Sequence, residues 1–146
     1  MIVARPAQLL LCCVLTLGAA PALAASSAAD CPPLEPPEGY IAVGPPDRYA
    51  QDVVFFPVET RNSARHERVA GATCRQNYRP ETPQAQRSDS DVQDIFQRQI
   101  MRAGADLLFT DDGLTSARLE EDTSETWMMI YSEELLIQVT VVRRTR

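Results

Sequence analysis

The chain has 146 residues, enough for one domain, with an ordinary apolar fraction of 45%. Its formal net charge is -6, and all its strongly basic side chains are arginines, with no lysine. An acidic domain is a poor match to nucleic acid, whose binding depends on neutralising phosphates, so no nucleic-acid partner is expected.

Residues 1–24 read as a cleavable secretory signal peptide. Arg5 supplies the charged n-region, Leu9 to Leu17 the apolar h-region, and Ala22-Leu23-Ala24 a small-x-small cleavage box. The apolar run is shorter than a membrane span and is broken by Gly18 and Pro21, so no span is expected after cleavage. The alternative is a buried N-terminal helix. Cys12 follows three leucines and Cys31 follows Asp30, where lipidation would demand a small residue. The expected location is a bacterial periplasm, with outer-membrane association or secretion as variants of it.

Cys12 and Cys13 leave with the leader, and Cys31 and Cys74 remain. An even count in an exported chain reads as one disulfide bond, against the alternative of two buried thiols. His66 is the only histidine, and no Cys-x-x-Cys or paired-histidine spacing accompanies it, so no metal is expected.

Residues 25–49 are rich in Ala, Ser and Pro and read as an extended strap or linker ahead of a small domain at 50–146. Val53 to Phe56 has the β-branched and aromatic content of a strand, which Pro57 ends or places at an edge. Thr60 to Arg68 reads as a hairpin loop, Val69 to Tyr78 as a second strand, and Arg79 to Arg87 as another loop.

A helix is predicted from Ser88 to Ala103, with Ser88 or Ser90 as N-cap and Gly104 at the C′ position. Val92, Ile95, Phe96, Ile100 and Ala103 recur at helical spacing and make one apolar stripe for a sheet. Four strands follow, near 107–110, 116–120, 126–131 and 136–142. The fold class is therefore α+β, one helix packed on a mainly antiparallel sheet of about five to six strands.

If Glu133-Glu134 turn the last hairpin, Ile130 faces Ile137 and Met128 faces Val139 under the helix. The other face then carries Trp127, Met129 and Tyr131, a candidate partner surface. Either it stays accessible to an envelope protein or glycan, or the Pro-rich strap covers it.

Val69-Ala70-Gly71 leading to Tyr78, Arg102-Ala103-Gly104-Ala105, Glu125-Thr126-Trp127 and Gln138 to Val142 carry a resemblance. Residues 52–142 resemble the α/β domain that precedes the C-terminal domain in some outer-membrane protein A-like proteins of Gram-negative bacteria. The resemblance implies an envelope location. The peptidoglycan contacts of that family belong to its C-terminal domain, which has no counterpart up to Arg146, so they are not carried over.

No constellation for catalysis is evident. His66 sits in a predicted loop, without the Gly-x-Ser-x-Gly turn of a serine nucleophile. Asp111-Asp112 and Glu120-Glu121-Asp122 are acid clusters, explained as turn and surface residues, or as carboxylates for glycoside or calcium chemistry. Arg61, Arg65 and Arg68 are candidate anion contacts, against a plain solubilising role, and the C-terminal arginines read as a solvated tail. The expected role is a non-enzymatic binding or assembly module of the bacterial cell envelope, without cofactors. The alternative is a small periplasmic enzyme or enzyme inhibitor.

Overall fold

A computed structural model describes residues 34–60, 63–111 and 113–146. The expected leader, Cys31 and Arg61 lie outside the described residues.

Strands β1 (Tyr40–Ala42), β2 (Asp47–Thr60) and β3 (Ser63–Pro80) come first. A short 3-10 turn at Pro83–Ala85 leads to helix α1 (Asp89–Arg102). Strands β4 (Asp106–Asp111), β5 (Leu114–Glu120), β6 (Ser124–Glu133) and β7 (Leu136–Thr145) complete the order. All the ladders are antiparallel, in the order β1-β3-β7-β6-β5-β4, with β2 also pairing with β3. The fold is α+β as expected, but the sheet has seven strands rather than five to six.

The extra strand content comes from the first half of the domain. The expected strap contributes β1 and the start of β2. The expected loop from Thr60 to Arg68 is mostly strand, and His66 pairs with Pro57 across the β2–β3 ladder. Pro57 does not end β2. It is tolerated because β2 ladders only with β3, so Pro57's missing N–H can face the free edge.

Helix α1 starts and stops where its sequence directs. The Asp91 N–H donates to Ser88 Oγ at 3.2 Å, so Ser88 is the N-cap. At the other end Gly104 has φ +79°, its N–H reaches Met101 O at 3.1 Å, and the Ala105 N–H reaches Ile100 O at 3.2 Å. This is a Schellman closure, and glycine is the residue that takes its left-handed position without steric cost. Val92, Phe96 and Ile100 are buried, whereas Ala103, placed in the stripe by its spacing, is exposed. The packing face also includes polar Gln93, which donates from Nε2 to Ser132 Oγ at 2.9 Å.

The helix covers one face of β4, β5 and β6 over a core that includes Phe96, Ile100, Met128, Ile130, Val139 and Val141. The opposite face is not open to solvent. The sheet curls until its two edges, β2 and β4, come into contact. Ser116 on β5 donates from Oγ to the Pro57 carbonyl, tying β2 across the gap. Inside the curl lies a second core of Val54, Phe56, Val58, Val69, Trp127 and Val142. Gly71 permits the tight passage of β3 along β7, since a Cβ there would collide with the Arg143 carbonyl oxygen.

The last hairpin turns on Glu134 and Leu135, with Glu134 at φ +51°. Ile130 therefore pairs with Val139 and Met128 with Val141, two residues along from the expected partners. A two-residue displacement leaves every side chain on its expected face, because side chains alternate with period two.

Candidate functional site

The expected partner surface is largely closed. Trp127 is 3% exposed and packs against Phe56, with ring centroids 5.4 Å apart and planes inclined by 52°. Its cover is β2 of the same chain. Met129 is half-buried against the same inner core, and Tyr131 keeps 39% exposure. The Tyr131 hydroxyl donates to Glu133 Oε2 at 2.6 Å.

The candidate anion contacts are not gathered on one face either. Arg65 pairs with Val58 and Arg68 with Phe55, so their odd spacing along β3 sends them to opposite sides of the hairpin. Arg68 lies beside the exposed Phe55. Further along β3, Arg75 binds Asp52 at 2.7 Å and stands 5.3 Å from the Tyr49 ring centre. His66 is exposed and strand-borne. Cys74 is fully buried on β3 and engaged in an interaction.

A different cluster forms at one end of the curled sheet. A cleft of about 310 Å³ is lined by Val58, Glu59, Arg65, Glu67, Leu108, Arg118, Trp127 and Arg144. All six strands from β2 to β7 contribute, because antiparallel neighbours bring the end of one strand beside the start of the next. Val58, Leu108 and Trp127 belong to or touch the inner core, so the walls are apolar below and charged at the rim.

The charges are organised around Glu125, which is 7% exposed. Its Oε2 accepts from Trp127 Nε1 at 3.0 Å and from Arg144 Nη2 at 2.6 Å, and its Oε1 accepts from Arg146 Nε at 3.0 Å. The Trp127 bond, with Arg144 and Arg146 behind it, holds the Glu125 carboxyl down to about 2, against an opposing push from burial. Arg146 also reaches Glu120 at 2.9 Å, and Glu120 reaches Arg118 at 2.9 Å. The guanidinium of Arg118 stands 5.6 Å from the centre of the Trp127 ring, in cation–π range. Arg118 Nε is buried and has no hydrogen-bond partner.

Arg118, Arg144 and Glu125 were not among the expected site residues. Arg118 alternates along β5 with Ala117 and Leu119, which pack in the helix-side core, so its side chain lies on the other face. Arg144 read as tail. The available signal was the apolar content of both faces of β6 and β7, from Trp127 to Ile130 and Val139 to Val142, which marks strands enclosed on two sides.

Among the described residues, no group of three or more His, Cys, Asp or Glu side chains is placed to hold a metal, and no helix is long and apolar enough to cross a membrane. Comparison with family models, curated proteins and solved structures gives no match to the chain.

Proposed function

We propose that the chain is a non-enzymatic binding or assembly module of a bacterial cell envelope, exported to the periplasm, and that the cleft over Trp127 is its contact site. The secretory leader supports the compartment. The resemblance to the domain preceding the C-terminal domain of outer-membrane protein A-like proteins points the same way. The observation that carries the binding reading is the cleft itself. Six strands converge on it, and an arginine lies over its aromatic floor with a buried N–H unmatched. Structures built only for stability seldom leave such a donor without an acceptor.

The test begins with expression of the full chain in a Gram-negative host. The expected product is periplasmic, with the mass of residues 25–146. Envelope extract is then passed over immobilised wild-type protein and over Arg118→Glu, folded by circular dichroism. The captured protein or glycan should be lost with the variant. Retention of residues 1–24, or identical capture by both proteins, overturns the proposal.

A further inference from the structure

The cleft has a composition that selects among ligands. It presents three guanidiniums and two carboxylates at its rim over Val58, Leu108 and Trp127. Arg144 is committed to Glu125 at 2.6 Å. Arg65 and Arg118 are not committed to the same degree. Arg65 Nη2 stands 3.8 Å from Glu67 Oε2, longer than a hydrogen bond, and the Arg65 side chain is 66% exposed. Arg118 meets Glu120 through Nη2 at 2.9 Å, a contact that engages one nitrogen of a guanidinium with five N–H donors. Its buried Nε has given up water without gaining an acceptor.

We infer that the cleft binds the carboxylate of a small ligand with an apolar body, with Arg118 as principal contact and Arg65 as second. This deepens the binding reading proposed above and rests on it. A further negative charge at the outer edge of the Arg118 guanidinium offsets the desolvation of its inner edge. A guanidinium is also the side chain whose planar fork matches a carboxylate. Glu59 and Glu67 lie on the same rim and oppose a dianion, which favours a singly charged carboxylate over phosphate. The apolar body of the ligand lies along Val58 and Leu108 toward the Trp127 ring.

Trp127 is the only tryptophan, so its emission reports on this cleft alone. The full exported protein is titrated with hexanoate, with hexanamide as the uncharged match, and with inorganic phosphate. Hexanoate should give a saturable change, and the amide should need about tenfold more, the loss of one charge-assisted contact. Arg118→Gln and Arg65→Gln should each weaken hexanoate severalfold, and Arg68→Gln, on the other side of the hairpin, should not. Arg65 is solvent-exposed, so its variant keeps the test valid should Arg118→Gln fail to fold. Equal binding of hexanamide, equal or tighter binding of phosphate, or no saturable change into tens of millimolar overturns the inference. The envelope reading has its own readout in export and capture, so a protein that is exported and captures a partner while ignoring hexanoate refutes the carboxylate assignment alone.

Discussion

Phe56 lies against Trp127, one ring from the edge strand β2 and the other from the centre of the sheet, with centroids 5.4 Å apart. The pair joins one edge of the curl to its middle. Phe56 is fully buried and belongs to the inner core, so its removal leaves a cavity under Trp127 as well as losing transfer energy. Phe56→Ala should cost about 3–5 kcal/mol of unfolding free energy, the usual range for a buried Phe truncation. Trp127 should become accessible to acrylamide in the folded variant. Unchanged stability together with unchanged quenching would show that β2 does not close the face.

Glu125 gives the fold an acid-sensitive contact. Its folded value of about 2 lies below its ordinary 4.5, so the native state favours the charged form. The stabilisation is full above about 4.5 and is lost as pH falls toward 2. Urea midpoints of wild type and Glu125→Gln should therefore differ most at neutral pH, with the variant less stable. The difference should shrink as pH falls through that interval. A gap that stays constant from neutral to acid would remove Glu125 from the acid response.

Gly71 predicts a steric effect distinct from any lost contact. A methyl group at this position meets the Arg143 carbonyl oxygen, and Val142 Cγ1 lies 3.1 Å away. Backbone oxygen cannot move aside without distorting the β3–β7 ladder. Gly71→Ala should therefore destabilise the protein by about 1–3 kcal/mol, the range for overpacking. Gly44 serves as a comparison, since a Cβ there has nothing within 4 Å, although its φ of +71° carries its own backbone cost. An unaffected midpoint in Gly71→Ala would mean that β3 and β7 are not held this closely.

What could be read in the sequence was whatever local chemistry decides. Ser88 and Gly104 bound the helix, and the alternation in Met128, Ile130, Val139 and Val141 assigns a face. The hairpin partners were displaced by two because turn geometry, and not the apolar pattern, sets register at that spacing. The cleft was not legible for a non-local reason. Alternation tells which residues share a face, but not that a distant strand folds back over the second one. Arg118 and Arg144 look like surface residues until β2 is brought across to Ser116. Pro57, read as ending a strand or placing it at an edge, left open the length of β2 that makes this crossing possible.

The remaining prediction concerns the chain ahead of β1. Leu34 is buried in the helix-side core, and Gln99 of α1 grips the next residue from both directions. The Glu35 N–H donates to Gln99 Oε1 at 2.8 Å, and Gln99 Nε2 donates to the Glu35 carbonyl at 2.9 Å. Cys74 pairs with Val141, a residue of that same core, and so lies on the face over which Leu34 packs. Cys31 is three residues upstream of Leu34, within a chain reach of about 10 Å. In an oxidising compartment the proposed Cys31–Cys74 disulfide would pin this segment beside Gln99. Non-reducing peptide mapping of the exported protein should recover the linked pair. Cys31→Ala should lower stability by about 4 kcal/mol in the chain-entropy model, because the loop it opens is long. Gln99→Ala should leave the disulfide intact while speeding hydrogen exchange at the Glu35 amide, which separates the side-chain grip from the covalent link. Recovery of both cysteines as freely alkylated thiols from periplasmic protein would refute the pairing, and an unchanged Glu35 exchange rate would refute the role of Gln99.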